Sequence, residues 1–374
     1  MKLTIERGAL LKSLGHVQNV VERRNTIPIL SNVLLEAGTN ALGLTATDMD
    51  LTIVERAPAS VGSGGAATVP AHTLYDIVRK LPEGSQVEID GGSGDGGQAV
   101  VRAGRSKFAL PTLPREDFPA SSGGELPHRF TLPAKELRGL IDRSRFAIST
   151  EETRYYLNGI YFHVLEAKGG GSLRAVATDG HRLARVETSL PQGAAGMPGV
   201  IVPRKTVNEL RKLIEETEEP IEVSLSDTRI RFAFDAVTLS SKLIDGNFPD
   251  YQRVIPTGND KIMTVKRDVF AEAVDRVSTI ATEKSRAVKL SLKKGNMVLS
   301  ASSPENGSAS EELEIEYAGP PMEIGFNARY LLDIATQLQS NDIEFKLADA
   351  ASPTLLGDAD KNASALYVLM PMRV

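Results

Sequence analysis

The chain has 374 residues, 41% of them hydrophobic and 24% charged, a formal net charge of −5, and neither cysteine nor tryptophan. That length suits two or three domains, each with a core of its own. The lack of cysteine excludes disulfides, thiolate metal sites and a thiol nucleophile, and the charge argues against gripping nucleic acid by wholesale phosphate neutralisation.

In chain order, Met1–Glu6 lacks the long apolar run of a signal peptide, and no stretch is long enough to span a bilayer, so a soluble cytoplasmic protein is expected. Residues 7–24 place Leu10, Leu14, Val17 and Val21 at helical spacing, one apolar stripe. Ala46-Thr47-Asp48 ends a strand pattern. Val69-Pro70 then precedes a second helix pattern, Leu74, Ile77, Val78 and Leu81, and the alternation at Val87 and Ile89 predicts a strand. The glycine-rich run 91–97 lacks the Lys-Ser/Thr and following helix of a phosphate loop. It reads as a hairpin tip, as does Gly169-Gly170-Gly171.

After the punctuation at 119–124 the same order returns, about 130 residues on. Residues 134–148 carry Leu137, Leu140, Ile141 and Ile148. Ala177-Thr178-Asp179 repeats the tripeptide, Val202-Pro203 precedes Val207, Leu210 and Ile214, and Ile221, Val223 and Leu225 alternate. A third, eroded copy follows Phe248–Tyr251. Residues 266–286 hold Phe270, Ala273, Val274, Val277 and Ala281; Leu299–Ser303 and Gly325-Phe326 keep their places; Leu331, Ile334, Ala335 and Leu338 precede Ile343, Phe345 and Leu347. Three versions of one module are expected, over 1–122, 128–250 and 251–374. The opening helix segments carry net charges of +3, +2 and +1, leaving −11 for the rest of the chain.

Three clusters invite chemistry. Asp179-Gly180-His181-Arg182 reads either as a general base oriented by a carboxylate or as a turn between strands. Tyr155-Tyr156 reads as a strand pair, one residue buried and one exposed, or as aromatic contact with a nucleic acid strand beside Arg24 and Arg154. The apolar end Tyr367–Val374 reads as a last core strand, with Val368 and Met370 inside, or as a docking groove. Pro371 and the two methionines favour the groove.

Ile27-Pro28-Ile29-Leu30, residues 154–159, residues 177–184, residues 242–251 and Met370-Pro371-Met372-Arg373 together resemble the bacterial DNA polymerase III β subunit family, the sliding clamps, over the whole chain and in order. The resemblance implies an α+β fold of three clamp modules, each two helices packed on antiparallel sheets. Two chains would form a six-module ring, a head-to-tail homodimer around duplex DNA with basic helices inside and acidic sheets outside. It implies DNA contact at Arg24, Tyr155, Tyr156, Arg204 and Lys205. It implies a peptide-binding cleft between the second and third modules at Leu157, Thr178, Gly180, His181, Arg182, Leu183, Pro249, Arg253, Val254, Asn327, Tyr330, Val368, Met370, Pro371, Met372 and Arg373, with Arg182 or Arg253 steering polar peptide ends.

The ring would close through Leu74, Ile77, Arg105, Lys107 and Phe108 on one side and Ile280, Glu311 and Glu312 on the other. Implied partners are the replicative polymerase catalytic subunit, the clamp loader, translesion polymerases and mismatch-repair or ligase-type proteins, each through a short apolar peptide. No membrane, cofactor, metal or catalytic residue is implied. Ser285 departs from an aromatic at the cleft rim, the acids at 311–314 are a thinner set than relatives carry, and the tip at 91–97 has no role in this scheme. The alternative class is an α+β repeat enzyme or small-ligand-binding protein using an Asp179/His181 pocket; the mostly apolar company of that pair favours a groove.

Overall fold

The computed structural model describes residues 1–92, 97–120, 123–167, 170–281, 286–360 and 363–373. The chain packs as two compact units. The first comprises Met1–Lys135, Pro191–Met197 and Lys205–Leu243, and the second Glu136–Leu190, Pro198–Arg204 and Ile244–Val374. Six α-helices lie among the described residues: α1 (Arg7–Val17), α2 (Ala71–Lys80), α3 (Ala134–Asp142), α4 (Arg204–Leu213), α5 (Arg267–Ser278) and α6 (Ala328–Ala335).

In the first unit a five-stranded antiparallel sheet runs Ser60–Ser63, Lys2–Glu6, Gln86–Asp90, Gln98–Ala103, Ser106–Pro111. An eight-stranded sheet runs His128–Leu132, Ile221–Leu225, Arg229–Phe234, Val237–Lys242, Leu51–Pro58, Ala41–Thr47, Asn32–Gly38, Gly65–Pro70. In the second unit a nine-stranded sheet runs Val200–Pro203, Gly159–Leu165, Ser172–Thr178, Arg182–Ser189, Ala365–Leu369, Thr354–Asp358, Asp342–Leu347, Lys261–Lys266, Glu316–Tyr317. A four-stranded sheet runs Gly307–Glu314, Asn296–Ser303, Ala287–Lys293, Met322–Asn327.

Three sequence repeats thus make two sheet-continuous bodies. The last strand of the second copy pairs with the first copy, Leu239 opposite Ile53, and the last strand of the third pairs with the second, Val368 opposite Leu183. Each join consumes two strand edges that would otherwise invite foreign pairing.

The apolar stripes form the core as their spacing requires. Leu10, Leu14 and Val17 of α1 and Leu74 and Val78 of α2 are buried in the first unit. Phe270, Ala273, Val274 and Val277 of α5 and Leu331, Ile334 and Ala335 of α6 are buried in the second. The helices are shorter than the stripes. Helix α1 stops at Val17 because the Asn19 side chain donates to the Gly15 carbonyl, and Val20 and Val21 continue only as single turns. Leu81, Ile214 and Leu338 are buried one residue or more past the ends of α2, α4 and α6. Strands flank both glycine-rich tips and pair as hairpins; residues 93–96 and 168–169 of those tips lie outside the described residues, as does Ser285.

Candidate functional site

Each Ala-Thr-Asp tripeptide leads into a hydrogen-bonded turn. Asp179 Oδ1 accepts from the N–H groups of His181 (2.9 Å) and Arg182 (3.0 Å), and Thr178 Oγ1 accepts from the Gly180 N–H and donates to the Arg182 carbonyl. Asp48 and Thr47 make the same four bonds around Met49 and Leu51. This geometry overturns the general-base arrangement. Asp179 is occupied by the backbone and by Arg182, not by the His181 ring, which lies exposed with its centroid 6.4 Å from that of Tyr330. Gly180 suits its place: φ is +89°, which L side chains rarely adopt, and a Cβ there would lie 2.6 Å from Arg154 Nη1, so that the arginine would have to shift.

Around this turn, and wholly within the second unit, stand the residues expected of a peptide cleft. Leu183 and Val368 are cross-strand partners, and with Val176 and Tyr251 they form a buried cluster backed by Tyr161, Phe248, Ile255 and Leu355. Tyr161 stacks on Phe248 at 4.8 Å, and the Tyr251 hydroxyl meets His163 Nε2 at 2.9 Å, which fixes the segment bearing Pro249, Arg253 and Val254 on the sheet. Burial holds the His163 imidazole below its ordinary pKa. Val254 and Met370 expose 54% and 40% of their surface, so an apolar rim sits over an apolar base. The terminal residues are pinned by the Met370 N–H on the His181 carbonyl and the Met372 N–H on the Gly325 carbonyl. Leu157 is buried, Asn327 caps α6 through its side chain, and Pro371, Met372 and Tyr330 are half-buried.

Val368 is core, as one reading of the final strand has it, while Met370 lies beyond the strand and outside the core. Arg182 departs from expectation. Only 9% exposed, it donates to Asp179 (3.1 Å), Asp333 (2.5 Å) and the Phe146 carbonyl (2.7 Å), and its guanidinium lies 4.2 Å from the Tyr330 ring centroid and 5.0 Å from that of Phe146. With three of its five N–H donors and the faces of two rings engaged, it braces the wall and is poorly placed to swing out toward peptide ends. Arg253, whose one ion pair among the described residues is with Asp250 on the surface, is not braced in this way.

The DNA set divides similarly. Arg24 and Arg204 are exposed. Tyr155 and Tyr156 are not strand residues: they lie in the 3₁₀ turn Glu152–Leu157, edge to face at 5.7 Å, with Tyr155 53% exposed. The Arg204 N–H donates to the Asn158 carbonyl, which places that residue just past the tyrosines, and Arg154 is clamped bidentately by Glu151. Lys205 is already spent. Its Nζ donates to the Val20 carbonyl (3.1 Å), to Glu22 and to Asp48 Oδ2 (2.7 Å), a cage the sequence did not announce. Those carboxylates outweigh the cost of burial and raise its pKa.

Of the residues expected at the ring closure, Arg105 and Lys107 are exposed beside or on the edge strand Ser106–Pro111, and Phe108 and Ile77 are half-buried. Leu74 is fully buried in the first unit's core, so it can only support such a surface from beneath. Glu311 and Glu312 lie on the edge strand Gly307–Glu314, where Glu311 is held by Arg276 (2.6 and 3.1 Å) and Glu312 by Asn296; Ile280 is half-buried. No group of three or more acidic or histidine side chains among the described residues is placed to hold a metal ion, and no helix is long and apolar enough to cross a membrane.

Family models for the N-terminal, central and C-terminal domains of the DNA polymerase III beta subunit match residues 1–122, 131–250 and 252–373. The chain belongs to that family. It is 56% identical over 374 residues to a beta sliding clamp of Caulobacter vibrioides, covering all of both chains, and 40% identical over 377 residues to that of Escherichia coli K12, again in full. A sliding clamp of Bartonella birtlesii, solved bound to griselimycin, superposes with a TM-score of 0.97 at 51% identity over the whole of each chain. The protein is a DNA sliding clamp, a non-catalytic subunit of the replication machinery with an α+β fold of clamp modules, and clamp identity carries binding to DNA and to polymerase. The enzyme alternative falls on both counts, the Asp179 geometry and the family.

Proposed function

We propose that two copies close head to tail into a cytoplasmic six-module ring around duplex DNA, with module bounds near 122 and 250, and that partner proteins dock through a short apolar peptide in the second unit's cleft. One observation carries the docking reading: the buried Leu183–Val368 base lies beside an exposed apolar rim at Val254 and Met370. Replicative and translesion polymerases, the clamp loader, and mismatch-repair or ligase-type proteins are the partners such a shared groove serves. Burying one Leu or Phe anchor is worth about 1.5–3 kcal/mol, so two anchors give roughly micromolar binding once ordering costs are met, weak enough for exchange.

Closure through unlike surfaces leaves no free sticky edge. The strands Ser106–Pro111 and Gly307–Glu314 are both exposed sheet edges, one basic and one acidic, which supports pairing of one protomer's first unit with its partner's second. Arg24, Arg204, Tyr155 and Tyr156 supply the DNA contacts, a weak sequence-blind field suited to sliding. The test loads the protein onto DNA circles. A ring stays on closed circles, leaves when they are linearised, and is lost to the Arg105→Glu/Lys107→Glu variant, which should be monomeric. Equal retention on linear DNA would refute the ring.

A further inference from the structure

The first unit holds a cavity at the Asp48–Leu51 turn, walled by Met49 and Leu126 and floored by side chains of three adjacent strands. Those strands repeat the register of the peptide cleft. Thr52 stands opposite Ser240 and Ser240 opposite Arg231, as Leu183 stands opposite Val368 and Val368 opposite Leu355. One scaffold therefore presents three apolar side chains in the second unit and Thr, Ser and Arg in the first. We infer that this cavity is a second docking site, which takes an acidic peptide segment with a carboxylate between Arg231 and Lys242 and an aliphatic side chain against Met49.

The charges point that way. Arg229 lies directly opposite Lys242 in the ladder, so both add positive charge beside Arg231. Asp50 answers Lys242 at 2.8 Å. Arg231 is half-buried and has no ion pair among the described residues, so its fork is available to a carboxylate. Of the other nearby acids, Glu222, Asp227 and Asp235 are exposed to water, and Glu55 of the strand Leu51–Pro58 is buried against Ser13 and His16. Met49 is 51% exposed with φ +80°, a backbone that L side chains rarely adopt, where the second copy has Gly180. A methionine held there presents an adaptable apolar surface at the mouth of a cationic cavity. Nucleic acid is the poorer occupant, because no aromatic side chain among the described residues lines the cavity for bases to stack on.

The peptide class rests on reading the matching cleft as a peptide groove, so the experiment separates the two sites. A fluorescein-labelled peptide, Asp-Glu-Leu-Asp-Glu with blocked ends, is titrated into the full dimer, its Arg231→Gln variant, its Ser240→Asp variant and a chain ended at Leu369. Losing a charge-assisted hydrogen bond should weaken the probe about tenfold in Arg231→Gln. Ser240→Asp, which fills the cavity with its own carboxylate opposite Arg231, should abolish binding, and ending the chain at Leu369 should leave it intact. Unchanged melting temperature in both point variants confirms that they fold. The inference is overturned if the probe does not bind, if it binds both point variants at full strength, or if ending the chain at Leu369 abolishes its binding. It is equally overturned if a single-stranded oligothymidylate displaces the probe and itself depends on Arg231, which would make this a nucleic-acid site.

Discussion

The turns at Asp48 and Asp179 share one backbone and differ in the cation that completes them. In both, Oδ1 caps the turn and Oδ2 takes a positive charge. In the second unit that charge is Arg182, three residues on, and in the first it is Lys205, 157 residues on. Arg182 extends the turn to Asp333 on α6 and to Phe146, and so holds the cleft wall. Lys205 extends it to Val20 and Glu22, and so holds the loop that leads to Arg24. Both cations belong to motifs that promise ligand contact, yet most of their donors are spent on other groups of the same unit. A basic residue in a binding motif is a strut when neighbouring carboxylates and carbonyls use up its donors, and a contact only when they do not.

The sharpest break of this parallel is Arg182→Met. Removing the buried guanidinium leaves Asp179 and Asp333 without their partner and should cost about 3 kcal/mol, the low end for a buried pair because Asp333 is partly wet. Urea denaturation should show that loss, and peptide binding should fall with it. Full stability would mean that the brace is idle.

Lys205→Met should cost less, about 1 kcal/mol, since the side chain is one-third exposed. Affinity for a short duplex should drop because the 18–24 loop loosens, with the slope of log affinity against log salt unchanged. Arg24→Ala, which on the proposed DNA path removes a phosphate contact, should lower that slope by about 0.9. If Lys205→Met lowers the slope equally, Lys205 touches DNA and the strut reading fails.

The smallest effect separates the two units by pH. Burial pulls the His16 imidazolium down, but the Glu55 carboxylate at 2.7 Å and then Glu216 outweigh it and raise its pKa. A raised folded pKa gives stability that is complete below about pH 6.5 and is lost as pH rises through the folded value. His163 is lowered by burial, so its contribution is complete above about pH 6.5 and is lost as pH falls below it. His16→Gln should flatten the alkaline side of a stability–pH profile and His163→Gln the acid side. The reverse assignment would contradict both placements.

The apolar stripes on α1, α2, α5 and α6 were legible because helical spacing is local, and so were the turns that follow each Ala-Thr-Asp. The end of α1 was less so: beyond it, the Val20 carbonyl finds its donor in Lys205, 185 residues away. The roles of Arg182 and Lys205 were hidden for the same reason, since Asp333 lies 151 residues from Arg182 and Asp48 lies 157 from Lys205. Tyr155-Tyr156 read as strand because aromatics favour strands, whereas the chain turns there with Arg154 at φ −109° and ψ 51°. Sequence spacing also marked three modules and could not reveal that two sheets run across their boundaries.

The most direct test of the account ends the chain at Leu369 and measures binding of a synthetic peptide with one leucine and one phenylalanine between polar residues. Met370 supplies exposed apolar rim, and Met372 is tied to the Gly325 carbonyl beside α6, so both the rim and its anchorage go together. The unmodified protein should bind the peptide with roughly micromolar affinity. The shortened chain should keep its dimeric mass and lose the peptide. Full-strength binding to the shortened chain would contradict the cleft as the docking site.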